Sequence, residues 1–373
     1  MRVLFDVGHP AQVHFFKNVI RLSQRRGHDV LVTSRRKDVT TDLLDALGIE
    51  HTCLSEMRPG RWNMASELRA RNHRLWLVAR QFKPDVMVAR VGVAAGPVGR
   101  LLRVPTVIYD DMEHARLQAA IGLTFATYIC TGLGYYRDFG RRQVRFAGPP
   151  VLAYLHPDYF VPDPQVLRRA GLHPEERIIF IRTVSWGATH DRGRTGLGRQ
   201  QLTHLVEALS HWGRVIVSSE APLPPELKHC ENPVPVAGIH HLLAFATLCL
   251  VEGGTMAAEA AVLGTPTICL QSYNFGYLIA LERDYQALCR TASIDETIKR
   301  ACELLQRTDL RPEWARKRDR LLADSEDVVA FQMRMIERAA AEHPKKRTAP
   351  PDRRMERMNV LRPRRHVHAG ERT

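Results

Sequence analysis

The chain has 373 residues, 45% of them hydrophobic, which is enough for two domains with real cores. Its formal net charge is +14, and the segment Pro344–Thr373 alone holds ten Lys/Arg against three Asp/Glu, so residues 344–373 are expected to be a disordered basic tail. Seven widely spaced cysteines without a C-x-x-C argue against a disulfide framework or a zinc site, and the lack of Walker A, H-E-x-x-H, G-x-S-x-G and early G-x-G-x-x-G patterns removes the usual signatures of phosphoryl transfer, zinc or serine hydrolysis and NAD or FAD binding.

The chain opens directly on a strand, Arg2–Asp6, with no signal-like run, so a cytoplasmic protein is expected. A helical pattern over Val13–Arg26 follows and ends at Gly27. Val30–Ser34 reads as a strand, Asp42–Leu47 as a short helix and Glu50–Leu54 as a strand. Met64–Phe82 reads as a long helix stopped by Pro84. Strands are predicted at Val86–Ala89 and Thr106–Tyr109, with short ones near Thr124–Cys130 and Val144–Ala147. Leu117–Tyr136 is free of charge over a membrane-spanning length, but its glycines and threonines fit a helix tail and a buried strand better. The proline-rich stretches Gly148–Asp158 and Val161–Pro164 mark a boundary between domains at 1–150 and 165–342. The alternation then restarts with a strand at Ile178–Arg182, a helix at Arg199–Trp212 and a strand at Val215–Ser218. Helices are predicted from about Thr297 to His343. Short apolar strands alternating with helices predict two doubly wound parallel sheets, each covered on both faces. Loops at the carboxyl ends of their strands would open into a shared cleft.

Candidate chemistry follows from those loops. After the first strand come Gly8, His9 and His14; His9 at the rim suits acid–base work near neutral pH. After Thr106–Tyr109 come Asp110, Asp111, Glu113 and His114. Asp111 could cap the next helix with Glu113 in its first turn, or the adjacent carboxylates could serve as acid and base. After Ile178–Arg182, Arg182 is placed to meet a pyrophosphate, and His190 and Asp191 sit in a polar loop followed by Arg192, Arg194 and Arg199. The segment 248–270 carries the densest signal: an apolar strand, Glu252-Gly253-Gly254-Thr255, a helix bearing Glu259, a Gly264-x-Pro266 break and another strand. Glycines allow a ligand close to the backbone, Thr255 could cap the helix, and its free N–H groups suit an anion. Glu259 could accept both hydroxyls of a ribose. Basic residues interleave with apolar ones from Arg58 to Lys83, which fits either a membrane-facing stretch or a helix with a solvated basic face.

The run Glu252–Pro266 resembles the nucleotide-binding turn of the GT-B superfamily, which includes UDP-N-acetylglucosamine 2-epimerases and the glycosyltransferase completing the lipid-linked peptidoglycan precursor. The opening Met1–Asn18 and the segment Asp111–Ala115 are similar to an uncharacterised prokaryotic domain family placed with that superfamily. The resemblance implies a GT-B-like α/β fold of two Rossmann-like domains facing across a cleft. It implies a UDP-type sugar nucleotide as donor substrate, without a further cofactor or metal. It matches Glu259 to the ribose glutamate, the Gly253–Thr255 turn to the phosphates and Glu113 to a catalytic-loop glutamate. Arg182 and His190 would lie near the diphosphate, and His9 or Glu113 would be the acceptor base. The epimerases carry an aspartate after the strand preceding Glu113; this chain has Ala89-Arg90-Val91-Gly92 there, which favours glycosyl transfer. Epimerisation or hydrolysis of the same donor stays open, as does a non-catalytic sugar-nucleotide sensor or a basic nucleic-acid-binding protein. The expected partners are a sugar nucleotide and an acceptor such as a lipid-linked glycan, with peripheral contact at an anionic membrane face and no specific nucleic acid.

Overall fold

A computed structural model describes residues 1–57, 60–184, 197–270 and 274–344, apart from the side chains of Arg61, Trp62 and Arg116. Met1–His343 form one compact unit. The expected tail and the candidate His190, with Asp191, Arg192 and Arg194, lie outside the described residues.

The first sheet is built from β1 (Arg2–Val7), β2 (Asp29–Arg36), β3 (Thr52–Glu56), β4 (Val86–Arg90), β5 (Thr106–Asp110), β6 (Tyr128–Thr131) and β7 (Gln143–Arg145). Its order is β3-β2-β1-β4-β5-β6-β7, with every pair parallel. The second sheet is built from β8 (Ile178–Thr183), β9 (Arg214–Ser219), β10 (Leu248–Val251), β11 (Thr267–Leu270) and β12 (Cys289–Thr291), ordered β12-β11-β10-β8-β9 and again parallel throughout. Parallel strands need helical crossovers, which bury both faces, and the central strands such as β1 and β10 are accordingly near-continuous apolar runs. Val3, Leu4, Phe5 and Val7 of β1 and all of Leu248–Val251 are fully buried. Strand order reverses between β1 and β4 in one sheet and between β8 and β10 in the other, and a doubly wound sheet opens a crevice at such a point.

The helix Val328–Glu342 returns to the first sheet. Asp327 caps it by accepting from the N–H groups of Val329 and Ala330. Phe331 packs edge-on to Tyr109 with ring centroids 6.5 Å apart. Gln332 Nε2 donates to the Phe15 carbonyl at 3.2 Å, and Arg26 pairs with Glu337 at 2.5 Å. The stretch between the sheets is no loose linker: Leu152, Ala153, Tyr154 and Leu155 are all buried.

The basic stretch of the first half is the helix Arg61–Phe82, packed by Leu75 and Ala79. Arg71 on it is buried, and Arg74 donates to the Leu54 carbonyl at 2.6 Å. Arg80 stacks on Trp76 at 5.3 Å, so much of its charge is tied to the protein. Leu117–Tyr136 forms the helix Arg116–Gly122, a short turn and β6. No helix of the described residues is long and apolar enough to cross a membrane.

Candidate functional site

A cavity of about 370 Å³ lies where the carboxyl ends of β1, β4 and β5 meet residues of the second sheet's loops. Its first wall holds Asp6, Gly8, His9, Gln12, Arg71, Arg90 and Asp111; its second holds Thr255, Phe275 and Tyr277.

On the first wall, the helix Pro10–Arg25 starts at the end of β1, with Pro10 at a position where a missing N–H costs nothing. His9 is its N-cap, and His9 Nδ1 accepts from Ala11 N–H at 3.2 Å. Gln12 Oε1 accepts from Gly8 N–H at 2.7 Å. A ring whose Nδ1 accepts from a backbone N–H carries its neutral-state proton on Nε2. Asp6 Oδ1 accepts from Thr33 Oγ1 at 2.9 Å and from Arg71 Nη2 at 2.8 Å. Arg90 forks onto Asp111, with Nε to Oδ1 at 3.1 Å, and lies over the Phe15 ring at 5.0 Å. Burial lowers the Arg90 pKa, with Tyr154 and Tyr277 among the groups opposing that effect.

Asp111 therefore caps no helix: the next one begins at Arg116 with Ala115 as its N-cap, and the pairing with Arg90 takes the carboxylate. Glu113 is correspondingly outside that helix's first turn. It is buried, and its Oε1 accepts from Gly276 N–H at 3.1 Å, at the start of the helix Gly276–Arg283 from the other half of the chain. Its Oε2 is buried with no partner among the described residues. Burial pushes its pKa up from 4.5 to about 7, against the two backbone hydrogen bonds, and Asp110 adds to the rise. Gly276 is required there, because a Cβ would run into Gly134's carbonyl and into Glu113 itself.

On the second wall, the helix Gly254–Val262 begins one residue before the expected cap. Gly253 is its N-cap, in extended conformation, and no side chain caps it. Thr255 lies inside the first turn and lines the cavity together with Tyr277. No protein acceptor takes the N–H of Gly254, Thr255 or Met256 among the described residues. Glu252, at the end of β10, accepts from Val184 N–H at 3.0 Å and Leu197 N–H at 2.9 Å, and so fixes both flanks of the loop after β8.

Glu259 is buried one turn along, in a cluster drawn from four elements. Its Oε1 accepts from the Tyr154 hydroxyl at 2.6 Å and lies 3.2 Å from His240 Nε2. Burial works to raise its pKa, but His240 and Tyr154 outweigh that and hold it below the ordinary value. His14 packs against Tyr154 and His240, at centroid distances of 5.3 and 5.0 Å. Burial, with His240 and Lys17, pushes the His14 pKa down to about 3, so the ring is neutral at pH 7. Arg182 lies apart from the cavity lining; its two terminal nitrogens donate to Ser218 Oγ and Glu220 Oε1, both at 2.9 Å.

The structure thus brings His9 and the Gly253–Thr255 turn to one cavity, His14 and Glu259 to one buried cluster behind it, and Glu113 to the contact between the halves. Sequence reasoning missed Arg71, Tyr154, His240 and the anchoring by Glu252. Only Glu252 had a local signal, a carboxylate at a strand end directly before two glycines.

Two parallel sheets with their switch points turned to one cleft define a GT-B-like fold, and solved structures agree. A UDP-N-acetylglucosamine 2-epimerase from Neisseria meningitidis, bound to UDP-GlcNAc, matches with a TM-score of 0.62 at 14% identity, over 92% of this chain and all of its own (100%). A spinosyn rhamnosyltransferase complexed with thymidine diphosphate matches at 0.59 and 16%, over 90% of this chain and 100% of its own. Residues 1–336 match the family described as protein of unknown function DUF354, and the chain belongs to that family. An uncharacterised protein of Methanocaldococcus jannaschii is 23% identical over 296 residues, which is 75% of this chain and 86% of that protein. The UDP-N-acetylglucosamine–N-acetylmuramyl-(pentapeptide) pyrophosphoryl-undecaprenol N-acetylglucosamine transferase of Bacteroides fragilis is 31% identical over 151 residues, 39% of this chain and 38% of the transferase.

Proposed function

We propose that the protein transfers a glycosyl group from a nucleoside diphosphate sugar, with a UDP-linked donor. The observation that carries this reading is the uncapped first turn of Gly254–Val262 at the cavity. Three backbone N–H groups without an acceptor among the described residues, at the positive end of a helix dipole, suit a diphosphate. Relatives whose names specify UDP-GlcNAc or thymidine diphosphate support a nucleotide at this place. Glu259 follows as the ribose acceptor, since His240 already stabilises its charged form. Arg182 contributes positive potential from the end of β8 rather than a direct fork, because Ser218 and Glu220 hold both terminal nitrogens.

The base is Glu113, at the contact between the halves beside the cavity, and not His9 of the cavity wall. A carboxyl with a pKa of about 7 is half ionised at neutral pH, and its Oε2 has no partner among the described residues. It reaches an acceptor once its bond to Gly276 opens. His9, with Nδ1 occupied, acts as a donor from Nε2. An acceptor hydroxyl, for which a lipid-linked glycan is the expected carrier, attacks the anomeric carbon. The bond from that carbon to the diphosphate breaks, Glu113 takes the hydroxyl proton, and the nucleoside diphosphate leaves with the charge on the Gly253–Thr255 turn.

Arg90 at the end of β4 argues against the epimerase alternative, because the acid those enzymes carry there is replaced by a cation bound to Asp111. The test is NMR of the protein with UDP-N-acetylglucosamine in deuterated water, without acceptor. Slow release of UDP with no ring exchange is expected, with water standing in as acceptor. Deuterium at the sugar's second carbon would overturn transfer in favour of epimerisation.

A further inference from the structure

Arg71 is a buried charge of the cavity wall with donors left unmatched among the described residues. It is 5% exposed, and its one hydrogen bond among the described residues runs from Nη2 to Asp6. A guanidinium has five N–H donors. Here Nε is buried without an acceptor among the described residues. A charged donor left unmatched in the interior is costly, and a bound oxyanion relieves that cost. Gly8 keeps the approach open: a Cβ there would come within 3.1 Å of Arg71 Nη1.

The neighbouring groups do not offer the same service. Arg90 is spent on Asp111, and Arg35 on Glu67. The N-terminal turn of Pro10–Arg25 is closed by His9 and Gln12. Yet Arg71 and Thr255 line one cavity, so an anion at Arg71 would share it with a ligand on the open turn.

We propose that Arg71 seats a second oxyanion, a phosphate or carboxylate carried by the acceptor that receives the sugar. Only the word acceptor rests on the transferase reading; the anion seat itself does not. Asp6 and Asp111 each neutralise one arginine of the wall. The seat therefore suits a single oxyanion group and not a polyanion such as nucleic acid.

The test titrates the full-length protein, saturated with UDP, with inorganic phosphate and separately with acetate, and follows the melting temperature. A saturable rise on top of that from UDP is expected, and the stronger of the two anions names the source of the charge. Arg71→Lys keeps a cation for Asp6 but loses the fork, so anion affinity should fall about tenfold or more while UDP affinity moves less than about twofold. Gly8→Ala presses a methyl group on Arg71 without removing its charge, and it serves if the lysine variant fails to fold; it too should weaken the anion. Anion affinity unchanged in the folded variants, or phosphate that merely displaces UDP, overturns the seat. If the wild type binds no UDP yet holds phosphate through Arg71, the donor reading fails and the seat stands.

Discussion

Two helices aim their N-termini at the same cavity, and they are finished in opposite ways. Pro10–Arg25 closes its own first turn, with His9 Nδ1 on Ala11 N–H and Gln12 Oε1 on Gly8 N–H. Gly254–Val262 starts on glycine with no capping side chain and, among the described residues, leaves three N–H groups unmatched. Both loops carry a glycine at a strand end, and both look like ligand loops in the sequence. The difference shows that a helix N-terminus offers an anion site only where the protein has not already used the donors. A cap stabilises the fold; an open turn forgoes that stability and keeps the donors for a ligand.

The largest effect should come from making the open end resemble the closed one. Gly253 has an extended backbone, and among the described residues a Cβ there would meet Val184 alone, at 3.8 Å. Gly253→Asp should cap the turn with a carboxylate where the diphosphate is proposed to sit. UDP affinity measured by calorimetry should fall about 100-fold or more, while the melting temperature holds or rises, since a good cap is worth roughly 1 kcal/mol. UDP bound as tightly as before would mean that the phosphates sit elsewhere. Next in size is Glu259→Gln. Losing charge-assisted bonds to ribose hydroxyls should cost about 1.5–3 kcal/mol of UDP affinity. Tyr154 keeps an acceptor in this variant, so a protein that merely unfolds earlier, with UDP affinity intact, would make Glu259 a structural residue.

Glu113→Gln comes third and is read as stability against pH. The folded pKa of about 7 lies above the ordinary 4.5, so the unfolded chain loses this proton first as pH rises. Glu113 therefore favours folding most below pH 4.5, and that contribution is lost between 4.5 and about 7. Gln can still accept from Gly276 and never ionises. The variant should be more stable than wild type by on the order of 2 kcal/mol at pH 8, with the gap closing toward pH 4.5. Denaturant titrations at both pH values check this; a gap independent of pH contradicts the buried carboxyl. The smallest effect is expected from opening the closed end. His9→Ala removes a cap and should cost about 1 kcal/mol of stability, with UDP affinity unchanged within about twofold. A large loss of UDP affinity would move the nucleotide to the first wall.

Much of this arrangement was legible before the structure. Parallel strands buried on both faces leave unbroken apolar runs such as Val3–Phe5 and Leu248–Val251, and the Gly253-Gly254 turn marks the crossover between β10 and β11. What escaped was pairing across distance. Tyr154 meets Glu259 from 105 positions away, Glu113 meets Gly276 from 163, and Asp6 meets Arg71 from 65. No local pattern encodes such contacts; they follow from how the halves pack. The cap expected at Asp111 gave way to its pairing with Arg90, and the one expected at Thr255 to a helix that starts a residue earlier, on Gly253 as an open N-cap. β12 is three residues long and only half-buried, too short and too polar for an apolar run to announce it.

The central claim is that a nucleoside diphosphate sits on the open turn and not on the closed one. Backbone amide shifts, followed by NMR as UDP is added to the full-length protein, test it most directly. The account predicts the largest and earliest movements at Gly254, Thr255 and Met256, with little change at Gly8, His9 and Ala11. The reverse pattern, with the first loop moving and the Gly253–Met256 amides still, would contradict it.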